Sequence, residues 1–117
     1  MHRKYTTFDE AQYAATERSA VRRYHTFRLT LDDFSLLIHE PCFYCGELPN
    51  NRALFQKKRV YYQGIDRLDD NIGYEVGNVV PCCCSCNMHK RDKTPPSHIT
   101  KEKIEAGKHF FEVNLED

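Results

Sequence analysis

Cys42-Phe43-Tyr44-Cys45 and Cys83-Cys84-Ser85-Cys86 are the most informative segments of this 117-residue sequence. Each holds two cysteines three positions apart, and a pair of such C-x-x-C knuckles is a common way to present four thiolates to Zn²⁺. Gly46 follows the first knuckle, where the chain must turn sharply and a positive φ favours glycine. The sequence therefore predicts one structural zinc ion, with Cys42, Cys45, Cys83 and Cys86 as its ligands.

Two other interpretations of these cysteines stay open, namely a disulfide framework and buried free thiols. We expect no disulfides because residues 1–7 are polar and show no secretory apolar region, which favours a reducing, intracellular setting. Cys82 and Cys84 flank a ligand position and are interpreted as packing or spectator thiols. A ligand pair of Cys82 with Cys86 is the alternative, since its spacing is still workable.

A structural metal has a physical role in a chain of this size. The 117 residues leave room for one small domain, and a hydrophobic content of 40% is modest for a core that must stabilise itself. A zinc ion closes a long loop and adds folding free energy that such a core lacks. No stretch approaches the roughly 20 apolar residues of a membrane span, so we expect a soluble protein.

The charge is balanced overall but unevenly distributed. The formal net charge is zero, which by itself argues against nucleic-acid binding. Between Arg52 and Arg67, however, five basic residues accompany one acid, and Lys90, Arg91 and Lys93 follow the second knuckle. Basic patches beside the zinc site are compatible with phosphate binding, whereas a solvated loop and helix surface is the alternative interpretation.

The remaining pattern predicts a small α+β domain. Thr7 to Glu10 has capping-box spacing and opens a helix to about Phe27, and a second helix begins at Thr30 and ends at Pro41. Residues 47–58 lack periodicity and are expected to form a variable loop. Strands are predicted over 60–66 and 74–81, with turn chemistry between them at 69–73.

The second knuckle should open a short helix over 84–91. Thr100 should cap a last helix that buries Ile104, Phe110, Phe111 and Val113. A knuckle, a hairpin and a helix that carries the other two ligands make a treble-clef zinc fold. We expect one compact domain, with an N-terminal helical region at 1–40, a zinc-stapled core at 41–94 and a C-terminal helix at 95–117.

The run from Gly64 to Lys90 resembles the ββα-metal core of HNH-type endonucleases, in the phage, large-virus and bacterial branch whose core begins Ile65-Asp66-Arg67. The resemblance extends upstream to the first knuckle. It implies a nuclease that needs a divalent metal, Mg²⁺ or Mn²⁺, to stabilise the scissile phosphate. By position, Asp66 and Asn87 match ligands of that metal, and Asn78 matches an asparagine that braces the loop orienting the base.

Arg67 is the main departure from the family pattern, because it stands where the resemblance implies a general-base histidine. A guanidinium keeps its proton and cannot abstract one from water, although it can clamp a phosphate. His89 is the candidate for a substitute base, since it follows Asn87 by two residues on the same short helix. The alternative interpretation of His89 is an exposed helix residue.

Two functions remain open. One is an HNH-type endonuclease acting on nucleic acid, DNA ahead of RNA, with Asp66, Arg67, Asn78, Asn87 and His89 as its site. The other is a catalytically degenerate zinc module that binds nucleic acid or serves as a subunit of a nucleoprotein or viral assembly. A zinc-dependent protein-interaction domain leaves the basic clusters without a purpose. The expected location is the cytoplasm or nucleoid, or a virus-infected cell or virion.

Overall fold

The computed structural model describes residues 5–114, which form an α+β fold of short elements around the two cysteine knuckles. Nine elements follow one another along this part of the chain: α1 (Phe8–Arg22), α2 (Leu31–Ile38), β1 (Asn51–Phe55), β2 (Lys58–Tyr62), β3 (Gly64–Arg67), β4 (Val79–Cys82), α3 (Cys84–His89), α4 (Lys101–Gly107) and α5 (Phe110–Asn114). The strands form two separate antiparallel sheets, β1-β2 and β3-β4. The predicted regions at 1–40 and 95–117 each extend beyond the described residues.

The first two helices begin where their capping boxes predict. The Thr7 hydroxyl accepts from the Glu10 N–H, the Thr30 hydroxyl accepts from the Asp33 N–H, and both reciprocal bonds are present. The predicted end of α1 near Phe27 is wrong, because the helix ends at Arg22. Tyr24 adopts a φ of 64°, and the chain then forms a parallel bridge between Phe27 and Tyr74 that a helix could not make.

The expected loop over 47–58 is also wrong, because its second half forms a hairpin with the next strand. Strand β1 pairs with β2 in a register that runs from Asn51 opposite Tyr62 to Phe55 opposite Lys58. Gln56 and Lys57 form the two-residue turn, with φ of 53° and 69°. Two positive φ values suit the twist of a tight hairpin, and the absence of glycine or asparagine there hid the turn from sequence reasoning.

The predicted strand over 60–66 is divided between the two sheets at Gln63. This buried residue donates its backbone N–H to the Ile38 carbonyl oxygen. Its side-chain amide donates to the carbonyl oxygens of Glu40 and Glu47. Gln63 therefore connects α2, the first knuckle and the start of β3, which holds β3 against the first knuckle.

Strands β3 and β4 pair with Asp66 opposite Val80 and Arg67 opposite Val79, and α3 follows directly. The predicted return strand at 74–81 begins too early, since residues 75–78 form a turn in which the Asn78 N–H donates to the Glu75 carbonyl oxygen. Helix α3 ends two residues before its predicted end. The order β3-β4-α3 confirms the predicted ββα core.

The C-terminal helix begins after Thr100, whose hydroxyl accepts from the Lys103 N–H, as predicted. It is divided into α4 and α5 rather than continuous. Phe110 and Phe111 are buried in the core and Ile104 packs against it, whereas Val113 is 69% exposed and is not a core residue. The break at residues 108–109 lets both phenylalanines pack inward at once.

Candidate functional site

The two knuckles bring Cys42, Cys45, Cys83 and Cys86 together as a possible metal centre. Their four sulfur atoms lie within 4.8 Å of one another, and the sulfurs of Cys45 and Cys83 are 3.7 Å apart. A tetrahedral zinc ion with Zn–S bonds of about 2.3 Å would separate its sulfurs by about 3.8 Å. These four residues can therefore hold a metal ion, and an all-thiolate set suits zinc.

Local backbone geometry presents these thiols. Gly46 has a φ of 82°, as predicted, and its N–H donates to the Cys42 carbonyl oxygen, which closes the first knuckle. In the second knuckle, Cys83 is the N-cap of α3 and its sulfur accepts from the Cys86 N–H. Burial raises the pKa of the Cys45 and Cys86 thiols, so a metal would bind there with release of protons.

Cys82 and Cys84 lie outside the four-sulfur cluster. The buried Cys82 thiol lies beside Cys42, and its hydrogen bond to Cys42 lowers the pKa of Cys42. Cys84 is exposed on α3. Sequence reasoning missed His98, whose Nε2 lies 3.4 Å from the Cys86 sulfur. No spacing signal could have found it, because the contact depends on how residues 91–100 fold back onto α3.

A second feature is a polar cleft between β3 and α3. Its volume is about 430 Å³, and it is lined by Arg23, Ile65, Asp66, Arg67, Asp70, Tyr74, Asn87 and Arg91. The structure thus brings together three of the predicted site residues, Asp66, Arg67 and Asn87. In the part of the chain that the structure describes, the Asn87 side-chain amide makes no hydrogen bond, so it is available to a ligand.

His89 lies elsewhere. Residues two apart on a helix point about 200° from each other, so His89 faces away from the Asn87 side. It lines a different cavity of about 600 Å³ with Cys45, Cys83 and His98, and its Nδ1 is 2.7 Å from an Asp92 carboxylate oxygen. The structure does not bring His89 together with Asp66.

Asp66 is 1% exposed and is surrounded by donors. The Lys90 ammonium, itself 7% exposed, donates to both carboxylate oxygens at 3.0 and 2.9 Å and to the Arg67 carbonyl oxygen at 2.7 Å. The Tyr44 hydroxyl donates to Asp66 Oδ2 at 2.8 Å. Burial, and then the adjacent Asp66 charge, raise the pKa of Tyr44, so it stays a donor. Sequence reasoning missed both partners; the signal for Lys90 was its position three residues after Asn87, on the same helix face.

Asn78 braces the loop between β3 and β4. Its Oδ1 accepts from the Asp69 N–H at 2.9 Å, and its Nδ2 donates to the carbonyl oxygens of Asp69, Ile72 and Gly73 at 2.9–3.1 Å. The side chain is buried, and its hydrogen bonds connect residues 69, 72 and 73 to the start of β4. This loop begins directly after Arg67, so Asn78 fixes one wall of the cleft.

Arginine side chains make the cleft electropositive. Arg67 donates to the carbonyl oxygens of Asp70 and Ile72 and lies 5.6 Å from the centre of the Tyr74 ring. Arg91 pairs with the Asp70 carboxylate, and this hydrogen bond holds the pKa of Asp70 below its usual value. Three arginines, Arg23, Arg67 and Arg91, line the cleft with the carboxylates of Asp66 and Asp70. Because the buried Lys90 ammonium also pairs with Asp66, positive charge is in surplus around the cleft. Such a cleft favours an anion.

Comparison by sequence identifies a viral relative of the chain. No protein-family model matches the chain. It is 30% identical over 87 residues to an uncharacterised protein of Acanthamoeba polyphaga mimivirus, a match that covers 74% of the chain and only 15% of the mimivirus protein.

Among solved structures, the chain is similar to the rare-cutting HNH restriction endonuclease PacI, whose structure was described for its perturbation of DNA. The match has a TM-score of 0.57 and 18% identity, and it covers 95% of this chain and 84% of PacI. Within the described residues, no helix has the length and hydropathy to cross a membrane. The chain therefore has an HNH-like fold, and its four clustered cysteines can hold a metal ion. Its sequence relative is encoded by a large virus.

Proposed function

We propose that this chain is a zinc-stapled, HNH-type endonuclease that acts on phosphodiester bonds of nucleic acid, with DNA as the substrate. The observation that carries the proposal is the cleft in which Asp66, Arg67 and Asn87 meet inside an HNH-like ββα core. Zinc at Cys42, Cys45, Cys83 and Cys86 has the structural role, because it ties the first knuckle to the start of α3.

The surplus positive charge of the cleft would bind a backbone phosphate. Arg67 has a fixed position over Tyr74, and Arg23 donates to the Tyr74 hydroxyl at 3.1 Å, so two guanidinium groups converge on one wall. Guanidinium groups bind phosphate oxygens with matched, charge-assisted hydrogen bonds. In this proposal Arg67 is a phosphate clamp and takes no proton from water.

Asp66 and Asn87 fit a divalent cation by the chemistry of their donors. A carboxylate oxygen and an amide oxygen are the hard ligands that Mg²⁺ and Mn²⁺ prefer, and Asn87 is free of partners within the described residues. The Lys90 ammonium already contacts the same carboxylate. A cation would therefore bind Asp66 and Asn87 only after the Lys90 side chain has moved away. A bound Mg²⁺ or Mn²⁺ would stabilise charge on the phosphate and lower the pKa of its water.

A second candidate function has its own supporting observation. Lys90 already supplies a positive charge beside Asp66, which is what a degenerate site that only binds nucleic acid would need. In that case the chain would bind duplex or single-stranded nucleic acid without cleaving it, as a subunit of a nucleoprotein or viral assembly. The zinc centre and the cleft would have the same roles in binding.

A cleavage assay with matched variants tests the proposal. Purified protein is incubated with supercoiled plasmid and with labelled duplex DNA, single-stranded DNA and RNA, in Mg²⁺ or Mn²⁺. Asp66→Asn keeps the shape of the side chain and should remove cleavage while zinc content stays constant. Asp32→Asn changes an exposed acid on α2 and should cleave like wild type. Cleavage that persists in Asp66→Asn would show that the activity does not arise in this cleft and would contradict the proposed site. Binding without any cleavage would exclude the endonuclease and leave the second candidate.

A further inference from the structure

The β1-β2 hairpin has one exposed face that no step of the proposed chemistry uses. In its register Arg52 lies opposite Tyr61 and Leu54 lies opposite Arg59, so these four side chains share a face, which we call the outer hairpin face. Exposure alternates along β1, and along β2 from Arg59 onward. All four of these residues are exposed, with Leu54 at 76% and Tyr61 at 48%. Two arginines therefore flank two solvent-exposed apolar side chains.

The opposite face holds the hairpin in place. The Phe8 ring at the start of α1 lies 6.2 Å from the Phe55 ring and 5.3 Å from the Tyr62 ring, measured between ring centres. Since side chains alternate along a strand, a hairpin anchored by Phe55 and Tyr62 must present Leu54 and Tyr61 outward. The exposure of the apolar pair is thus built into the register.

The charge of the hairpin indicates which class of molecule it would bind. Residues 51–62 contain four basic side chains, Arg52, Lys57, Lys58 and Arg59, and no acid. Lys57 lies in the turn and Lys58 directly follows it, so two ammonium groups project at the tip. A basic hairpin with this composition is complementary to a polyanion.

Among polyanions, duplex DNA is the one whose groove matches the shape of the β1-β2 hairpin. The major groove of B-form DNA, about 12 Å wide, admits a two-stranded ribbon, whereas the major groove of A-form RNA is too narrow for side chains to read. Arginine pairs with guanine O6 and N7, and apolar side chains contact the thymine methyl group. The outer hairpin face offers both kinds of contact.

Resting on the proposed function, we propose that the outer hairpin face enters the major groove of duplex DNA and reads its base sequence. Lys57 and Lys58 contact the flanking phosphates. Asp66 is four positions after Tyr62, and a fully extended chain spans that separation in about 13 Å at most, so the groove contacts lie near the phosphate bound in the cleft. The hairpin is the specificity element and the cleft is the reactive one.

Selection from a random-sequence duplex library tests this proposal. Full-length wild type is bound to the library without added Mg²⁺ or Mn²⁺, and the enriched sequences are read. Arg52→Ala/Arg59→Ala and Leu54→Ala/Tyr61→Ala are then compared with Arg18→Ala/Lys101→Ala, a control that removes two exposed cations away from the hairpin. Thermal unfolding checks that each variant is folded.

We expect each hairpin pair to bind the enriched sequence at least about tenfold more weakly and to lose the preference, while unselected DNA is affected much less. Lys57→Ala/Lys58→Ala should lower the slope of log affinity against log salt by about two, equally for all sequences. Netropsin, which fills the minor groove, should leave binding intact.

Three results would overturn the inference. In the first, the hairpin variants bind DNA like the control pair. In the second, wild type enriches no sequence from the library. In the third, wild type binds single-stranded RNA more tightly than any duplex. Each leaves the proposed function standing if nucleic acid is still cleaved through Asp66. Absence of salt-sensitive binding to any nucleic acid would instead contradict the proposed function itself.

Discussion

The Lys90 ammonium forms a buried ion pair with Asp66, 2.9 and 3.0 Å from its two carboxylate oxygens. Its third hydrogen bond goes to the Arg67 carbonyl oxygen, so all three ammonium protons have acceptors. The carboxylate that a divalent cation would use is thus already neutralised by a residue of the same chain. Lys90 and the metal compete for one ligand.

Lys90→Met should therefore make the chain responsive to divalent cations. Removing one partner of a buried pair costs about 3–5 kcal/mol, because Asp66 keeps its charge without a counter-ion. We expect Lys90→Met to have a reduced midpoint of thermal unfolding that Mn²⁺ raises strongly, whereas wild type responds weakly. The double variant Lys90→Met/Asp66→Asn has no unpaired charge at this position, so Mn²⁺ should not raise its midpoint of thermal unfolding. A Lys90→Met protein indifferent to Mn²⁺ would show that Asp66 and Asn87 hold no cation.

Arg67→His tests whether the cleft lacks only a base. The substitution removes hydrogen bonds to the Asp70 and Ile72 carbonyl oxygens and places an imidazole next to Asp66. A positioned general base contributes about 10²–10⁴-fold, so we expect Mg²⁺- or Mn²⁺-dependent cleavage well above wild type. Arg67→Ala, which has neither base nor cation, is the control. If both variants lose an activity that wild type clearly has, Arg67 is an essential phosphate clamp.

Cys42→Ser should unfold the domain by removing a metal ligand. The site ties residues 42–45 to 83–86, and in domains of this kind much of the folding free energy comes from the metal. We expect one zinc per wild-type chain by elemental analysis, and less zinc with a much lower unfolding temperature in Cys42→Ser. Cys84→Ser, at an exposed position outside the cluster, should match wild type. Zinc-free wild type would contradict the structural role.

Asn78→Asp should destabilise the loop that forms one wall of the cleft. The amide nitrogen of Asn78 donates to three carbonyl oxygens, and a carboxylate would face them with an acceptor instead. A loss of about 1–3 kcal/mol or more is expected in urea unfolding, because the buried acceptors lose their donor. The exposed Asn71→Asp is the matched control. Equal unfolding midpoints for the two variants would show that Asn78 is not the brace.

Acid should release the Arg91 contact with Asp70. A hydrogen bond from Arg91, the largest effect, lowers the pKa of Asp70, which favours the charged form in the folded state. Its contribution to stability is therefore present above the usual pKa of about 4 and is lost as pH falls through the lowered value. The pair is about half exposed, so we expect at most about 1 kcal/mol. Wild type and Asp70→Asn should differ at pH 6 and converge near pH 2.

Local chemistry determined much of this protein from the sequence. The starts of α1 and α2 follow from Thr7 with Glu10 and Thr30 with Asp33, and the positive φ of Gly46 follows from the tight knuckle. Each of these features needs only neighbours within four residues. The order of knuckle, hairpin and helix was therefore readable, and with it the α+β fold and the four clustered cysteines.

Tertiary structure decided the features that depend on distant partners. Helix α1 ends early because Phe27 pairs with Tyr74, and the β1-β2 hairpin is stable because Phe8 packs on its inner face. Lys90 reaches Asp66 from 24 residues away, and the same helix turns His89 away from the cleft. No sequence period encodes such contacts, because they arise only when separate elements close on one another and bury charged groups where water cannot screen them.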